Sequence, residues 1–217
     1  MRSMVALTSK IQFRTLCKQT LLARRGWDIK DHKITMQLKP LLKKCQRVLL
    51  YCPLSHEANL MPLIKWARQR GIKIFLPILH QGSLQATPYR LPLARKAYQI
   101  LEPAPSCIYQ TPLDLAIVPV LGIDAMGRRI GFGKGYYDRF FAKRPQVPLI
   151  FVARQILRSQ SVLGENHDIV SSRFIDQRTL NKINKRIING VFTGNFSPVH
   201  AHGFLRLLVH QEIYARP

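Results

Sequence analysis

Apolar segments that alternate with helix-like segments are the feature that most constrains the fold. The run RVLLYCPL (47–54) is apolar enough for a strand buried on both faces, and residues 57–70 then repeat apolar positions at helical spacing. Strand-like runs return at 72–79, 114–121 and 148–153. Strand-helix-strand units favour parallel strands with right-handed crossovers. We therefore predict an α/β fold, a three-layer sandwich around a mainly parallel sheet.

The flanking segments set the expected domain boundaries. Two helices are predicted before the first strand, one over 9–25 with Ser9 as its cap and one over 31–44. The proline-rich stretch 81–105 is expected to form a small hairpin or to border a site. We predict a single domain over 1–177, followed by a basic C-terminal appendage over 178–217.

The net charge of +23 admits two kinds of partner, a phosphate-rich macromolecule or small anionic substrates. The basic residues lack the interleaved aromatic residues of single-strand binders, so nucleic-acid binding is not the expected function. No apolar run approaches the roughly 20 residues that span a bilayer, which predicts a cytoplasmic protein without membrane contact. The four cysteines form no CxxC pair and are expected to be free thiols.

A glycine-rich loop, GFGKG (131–135), follows the strand-like run at 114–121 and precedes a helix-like segment. Gly131, Gly133 and Gly135 carry no side chains, so their N–H groups can approach phosphate oxygens closely. Lys134 would add a full positive charge. The loop satisfies neither the Walker pattern nor the Rossmann spacing, so a tight turn is the alternative interpretation.

Asp138 follows three residues after Gly135 and is a candidate magnesium ligand. Such an ion would neutralise the β- and γ-phosphates of a nucleotide. The alternative is an acidic residue that only stabilises the first turn of a helix.

The segment 114–141 resembles the signature of the 5-formyltetrahydrofolate cyclo-ligase family, also called 5,10-methenyltetrahydrofolate synthetases, in its strand, its turn and its GFGKGYYD loop. KIQFR (10–14), the run 49–64 that contains Glu57, and the pair His167-Asp168 resemble further blocks of the family. The resemblance extends from about residue 10 to residue 175.

The resemblance implies an ATP- and magnesium-dependent reaction. The formyl oxygen of 5-formyltetrahydrofolate attacks the γ-phosphate, and N10 then closes the ring to 5,10-methenyltetrahydrofolate with release of ADP and phosphate. The protein aligns the reactants and stabilises phosphoryl charge. We expect a monomer.

The resemblance also implies roles for individual residues. Lys134 and Arg129 are expected to be catalytic, and Asp138 to hold magnesium. The residues expected to bind ATP are Lys10, Arg14, Gly131, Phe132, Gly133, Lys134, Gly135, Tyr136, Tyr137 and Asp138. Those expected to bind the folate are Cys52, Glu57, Gly133, Lys134, Gly135 and Tyr136.

Three positions depart from the family pattern. Phe132 stands where the family usually has arginine, Val120 replaces the glycine of a Pro-Gly turn, and Ser172 stands where a second magnesium-binding aspartate is expected. Asp168 is a candidate replacement for that aspartate. Arginine and lysine are not interchangeable in phosphate recognition, so Phe132 keeps two alternatives open. The same fold could act on another substrate, or it could bind nucleic acid through its basic surface.

Overall fold

The computed structural model describes residues 9–22, 26–95, 101–103 and 112–178. The elements in chain order are α1 (Lys10–Leu22), α2 (Trp27–Leu42), β1 (Arg47–Leu49), α3 (Met61–Arg68), β2 (Lys73–His80), β3 (Ser83–Pro88), β4 (Leu93–Arg95), β5 (Leu101–Pro103), β6 (Leu115–Pro119), β7 (Gly122–Ile123), β8 (Arg129–Ile130), α4 (Tyr136–Ala142), β9 (Leu149–Val152), β10 (Leu157–Arg158) and β11 (Phe174–Ile175).

A six-stranded sheet with the order β11-β9-β6-β1-β2-β3 forms the centre of the fold. Neighbouring strands from β11 to β2 run parallel, and only β3 runs antiparallel to its neighbour. The predicted α/β fold with a mainly parallel sheet is therefore confirmed. Parallel strands place their carboxyl ends at one edge, and the loops after β1, β6 and β9 meet there.

Apolar residues on both faces of the sheet explain the layers. Val48 faces α2 and α3 in one cluster, where Leu38 and Ile64 are also fully buried. Leu49, the next residue along β1, belongs to the opposite cluster with Phe140 of α4. Successive strand residues point to opposite faces, so one continuous apolar run fills both cores. The predicted three layers follow from this arrangement.

Helix α1 packs on a separate apolar cluster. Phe13 and Cys17 contact Leu121 and Ile130, beside the small sheet β10-β7-β8. A Cβ atom added at Gly122 would lie 2.8 Å from Cys17 Sγ and 3.0 Å from the Phe13 ring. The absence of a side chain at Gly122 therefore lets α1 sit directly on this sheet.

Several predicted boundaries were wrong. Helix α3 begins at Met61 instead of residue 57, because Asn59 Oδ1 accepts the Met61 N–H at 3.0 Å and Pro62 fixes the first turn. Helix α2 begins at Trp27, directly after Gly26 with φ 66°. The run 47–54 is regular strand only over β1. Ser9 caps α1 as predicted, accepting the Gln12 N–H at 3.2 Å.

The region 81–105 begins at the turn of one hairpin and contains a second antiparallel strand pair. Strands β2 and β3 pair through a two-residue turn in which Gln81 has φ 46° and Gly82 has φ 72°. Positive φ at both central positions is typical of a type I′ turn. Strands β4 and β5 form a second antiparallel pair.

Three predictions concern residues partly or wholly outside the described ranges: the end of the first helix over 23–25, the appendage from 179 onward, and Cys107. The three cysteines within the described part of the chain are free thiols. No helix in these described ranges has the length and apolar character needed to span a bilayer. The cytoplasmic location stays a prediction.

Candidate active site

The glycine loop connects β8 to α4 in a conformation that requires glycine. Gly133 has φ 102° and Gly135 has φ 63°, in the region where side chains are disfavoured. At Gly131, a Cβ atom would lie 2.3 Å from Nη1 of Arg129. The glycines therefore serve both the path of the loop and the close approach of a guanidinium group.

A cleft of about 410 Å³ lies between this loop and α1. Seven of the predicted site residues line it: Lys10, Arg14, Arg129, Gly131, Gly133, Gly135 and Asp138. Glu165, His167 and Asp168 also contribute to the lining. The structure thus brings together residues that are up to 158 positions apart in the sequence.

Two cations of α1 face the cleft from successive turns. Lys10 Nζ lies 2.5 Å from Asp168 Oδ2 and 3.8 Å from Glu165 Oε1. Arg14 Nε donates to the Gly131 carbonyl at 2.7 Å, which leaves the rest of its guanidinium beside Gly133. Residues four apart on a helix share one face, which agrees with the pair that the family resemblance of KIQFR predicts.

Arg129 and Asp138 form a buried pair at the base of the cleft. Arg129 Nη1 lies 3.4 Å from Asp138 Oδ2, and both side chains are 8% exposed. Arg129 Nε donates to the carbonyl of Pro119, at the end of β6. Asp138 Oδ1 accepts the Ile169 N–H at 3.2 Å. Each group is thereby fixed in position before any ligand binds.

The carboxylates that line the cleft are the candidate ligands for the magnesium ion that the family resemblance implies. In the described ranges, no three His, Cys, Asp or Glu side chains converge as a metal cage. Magnesium bound with a nucleotide keeps several waters and takes other ligands from phosphate, so a single protein carboxylate is sufficient. Asp138 lines the cleft and fits this role. Asp168 also lines it, and its Oδ2 accepts from Lys10 and from the Glu165 N–H, whereas both Asp138 oxygens have protein partners, Ile169 N–H and Arg129.

Two of the predicted folate residues, Cys52 and Glu57, lie in the loop after β1. Glu57 accepts the Leu54 N–H at 2.9 Å in the loop after β1. Burial raises the pKa of Glu57 to about 7, against the opposing effects of this hydrogen bond and of Arg129 and Arg154. Burial also raises the pKa of Cys52 to about 11, with Glu102 as a second cause.

The two tyrosines of the loop have different surroundings. The Tyr137 ring lies 5.0 Å from the Arg129 guanidinium, and its pKa is raised by burial and by the nearby charge of Glu57. The Tyr136 ring instead lies 5.3 Å from Arg139. Tyr137 therefore belongs to the polar group around Glu57 and Arg129, a distinction that the sequence leaves open.

Phe132 and Lys134 point outward from the loop. Phe132 is 40% exposed, and its ring lies 4.6 Å from the ring of His56 and 5.6 Å from Lys18 Nζ. Lys134 is exposed, and its carbonyl accepts a hydrogen bond from Arg139. In place of the expected arginine, Phe132 connects the glycine loop to α1 and to the loop after β1.

Sequence reasoning missed two features near the site. Asp124 accepts four backbone N–H groups, including those of Arg128 and Gly164, and so ties the turn after β7 to the loop at 163–164. Arg154 and Asp31 form a bidentate pair at 2.8 and 2.9 Å. The partners of that pair are 123 residues apart, and no local pattern indicates it.

Comparison with known proteins identifies the class to which this fold and cleft belong. The sequence model of the 5-formyltetrahydrofolate cyclo-ligase family matches residues 9–170, so the chain belongs to that family. It is 31% identical over 112 residues to a probable 5-formyltetrahydrofolate cyclo-ligase of Caenorhabditis elegans, covering 46% of this chain and 54% of the relative. It is 30% identical to the Escherichia coli K12 cyclo-ligase, covering 48% and 62%.

A longer match, at 26% identity, covers 70% of this chain and 79% of the cyclo-ligase of Mycolicibacterium smegmatis. Two solved structures share the fold. The 5,10-methenyltetrahydrofolate synthetase of Aquifex aeolicus has a TM-score of 0.67 at 24% identity, covering 89% of this chain and 98% of that one. The synthetase of Mycoplasma pneumoniae has a TM-score of 0.62 at 20% identity, covering 77% and 98%.

Proposed function

We propose that this protein catalyses the ATP-dependent conversion of 5-formyltetrahydrofolate to 5,10-methenyltetrahydrofolate, with release of ADP and phosphate. The observation that carries the proposal is the cleft in which Lys10 and Arg14 of α1 face the glycine loop and the Arg129-Asp138 pair. Membership of the cyclo-ligase family supports the same reaction. ATP and 5-formyltetrahydrofolate are the proposed substrates.

The cationic side of the cleft suits a triphosphate. Lys10, Arg14 and Arg129 can offset phosphate charge from different directions, and the glycine loop allows close approach of the chain. Phosphoryl transfer passes through a state with charge spread over three oxygens, so fixed cations lower its energy without rearranging. Lys134, at the exposed rim of the loop, is proposed to contact the transferring phosphate as it binds.

Asp138 is the residue proposed to hold magnesium, which would neutralise phosphate charge when it is bound with ATP. Its second oxygen is already fixed by the Ile169 N–H, so the carboxylate would be presented in a defined orientation. Arg129 balances the charge of Asp138 in the absence of a cation.

The folate side is proposed to lie around Glu57, Cys52 and Tyr137. Glu57 and Tyr137 interact electrostatically with each other and with Arg129. A ring bound there would place its formyl oxygen toward the cleft that holds the phosphates. Alignment of two reactants is worth several kcal/mol of barrier, about 7 to 11 kcal/mol in well-oriented systems. The chain then needs no covalent nucleophile.

The direct test is the ATP-dependent rise in near-ultraviolet absorbance of the methenyl product when 5-formyltetrahydrofolate is added. Wild-type protein should produce it, Lys134→Ala and Asp138→Ala should reduce the rate, and Lys143→Ala, exposed after α4, should behave as wild type. Absence of product while ATP still binds would reject this reaction and favour another substrate for the same fold.

A further inference from the structure

Arg154 is a buried arginine held rigidly at the ligand edge of the sheet. It lies two residues past the end of β9, and its side chain is 7% exposed. Its Nε and Nη2 donate to the two carboxylate oxygens of Asp31 in α2 at 2.8 and 2.9 Å. The guanidinium also stacks on the Trp27 ring at 3.9 Å. The Trp27 ring and the bidentate ion pair with Asp31 therefore fix the orientation of the guanidinium.

The remaining amino group of Arg154 is unused. Nη1 is fully buried and has no hydrogen-bond partner within the described part of the chain. A guanidinium is planar, so a side-on pair through Nε and Nη2 directs the Nη1 hydrogens away from Asp31. Leaving such a donor buried and unpaired costs about 1 to 3 kcal/mol. A buried, oriented and unpaired donor calls for a structural or functional explanation.

The position of Arg154 places this donor beside the predicted folate residues. Strands β9, β6 and β1 are neighbours, and their carboxyl ends lead to Arg154, to Pro119 and to the loop that holds His56 and Glu57. The His56 Nε2 is likewise buried without a hydrogen-bond partner among the described residues. The His56 ring contacts Phe132 of the glycine loop. Burial, and then the charge of Arg154, lower the pKa of His56, so His56 lies near both Phe132 and Arg154.

The charged groups around Arg154 determine which kind of ligand group Nη1 can bind. Asp31 already neutralises Arg154, and Glu57 lies close enough to interact with it electrostatically. A further anion would meet two carboxyl groups, whereas a neutral carbonyl oxygen meets a directed donor. Glu57 can accept from an N–H group on the same ligand. Arg154 Nη1 and Glu57 together suit a planar ring whose edge carries a carbonyl beside an N–H group.

We propose that Arg154, positioned by Asp31 and Trp27, is a specificity-determining residue that donates from Nη1 to the ring carbonyl of a lactam-type heterocycle. Under the proposed function, on which the choice of ligand rests, that heterocycle is the pteridine ring of the folate. His56 provides a second contact to the same ring through Nε2. Neither residue contacts the phosphates in this assignment.

Trp27 supplies the measurement. The chain has two tryptophans, and Trp66 lies elsewhere, between Lys39 and Arg70. In a Trp66→Phe background, Trp27 fluorescence is titrated with 5-formyltetrahydrofolate in the absence of ATP. The fragment p-aminobenzoylglutamate, which lacks the pteridine ring, is the control ligand. Arg154→Lys keeps the charge opposite Asp31 and removes the planar donor.

Arg154→Lys should weaken 5-formyltetrahydrofolate binding by about tenfold or more, because a hydrogen bond from a charged donor is lost. Binding of the fragment and the KM for ATP should stay within about twofold. Arg47→Lys is the matched control, since it alters another Arg-Asp pair, Arg47-Asp114, at the opposite edge of the sheet. If Arg154→Lys does not fold, His56→Phe keeps the ring contact with Phe132 and should still weaken folate binding about threefold or more.

Equal losses in Arg154→Lys and Arg47→Lys, or unchanged folate affinity in Arg154→Lys and His56→Phe, would overturn the proposal. So would an equal loss for the fragment, because the ring would not be the group recognised. The two proposals fail separately. If Arg154→Lys weakens folate binding and the wild type forms no methenyl product, the proposed reaction is wrong and the binding site stands. If the wild type forms product and Arg154→Lys leaves folate affinity unchanged, the reaction stands and the role of Arg154 is wrong.

Discussion

Lys10 Nζ lies 2.5 Å from Asp168 Oδ2, and this contact joins α1 to the loop before β11 across the cleft. The lysine is 19% exposed and the aspartate 7%, so the pair is largely shielded from water. A phosphate group that enters the cleft must share Lys10 with Asp168. The same lysine therefore closes the cleft wall and is the residue through which an incoming phosphate group would compete with Asp168.

Asp168→Asn should lower the free energy of unfolding by about 1 to 3 kcal/mol, because a partly buried ammonium loses its carboxylate. Urea denaturation measures the change. Glu165→Gln is the matched control: Glu165 lies 3.8 Å from the same Lys10 Nζ and is 64% exposed, so the loss should stay below about 0.5 kcal/mol. Equal losses in the two variants would contradict the importance of the shorter contact.

Asp138→Asn should raise the KM for magnesium-ATP by about tenfold or more, since the amide is a weaker metal ligand and no longer balances Arg129. Initial rates at varied ATP measure this effect. Asp114→Asn breaks a more exposed Arg-Asp pair, with Arg47, at the other edge of the sheet and should leave that KM within about twofold. An unchanged KM in Asp138→Asn would show that Asp138 is not the magnesium ligand.

Gly131→Ala should reduce kcat/KM by about tenfold or more, because the added Cβ would lie 2.3 Å from Arg129 Nη1 and displace the guanidinium. Gly71→Ala is the control. It has φ 75° and open space around the new Cβ, so it should cost about 1 kcal/mol of stability without changing activity. Normal kinetics in Gly131→Ala would show that the position of Arg129 is unimportant.

Glu57 should make stability depend on pH. Its pKa is raised from 4.5 to about 7 on folding, so the folded state binds more protons than the unfolded state between these values. The free energy of unfolding should therefore fall as pH rises through this window, by on the order of 1 to 3 kcal/mol, and then level off.

Urea denaturation of wild type and Glu57→Gln from pH 4.5 to 8 checks this expectation. The glutamine variant should lose the downward slope, whereas Glu165→Gln, at an exposed carboxyl, should retain it. Parallel curves for wild type and Glu57→Gln would show that Glu57 titrates normally.

The sequence predicts the parts of the fold that depend on local pattern. Apolar runs such as 114–121 predicted buried strands, and the glycine spacing predicted a loop near a ligand. The start of α3 was mispredicted because a hydrogen bond from Met61 to Asn59 competes with the longer helical periodicity. Such a hydrogen bond involves residues only two positions apart, so the apolar periodicity of a whole helix does not reveal it.

The site was predictable to the extent that it lies in one segment. Residues 129–138 were identified together, and Lys10 and Arg14 were predicted from the resemblance of KIQFR to a block of the family. The partners of these residues were not identified, because Lys10-Asp168 and Asp31-Arg154 connect positions 158 and 123 residues apart. Their pairing depends on strand order in the sheet, which no local periodicity specifies.

The seating of α1 on its own small apolar cluster makes Cys17 a reporter of cleft integrity. The Cys17 side chain is fully buried against Gly122, and burial raises the pKa of its thiol to about 12. Alkylating reagents react with the thiolate, so modification requires α1 to separate from the sheet. Because α1 also carries Lys10 and Arg14, the labelling rate of this single sulfur atom reports how often the cleft loses one of its walls.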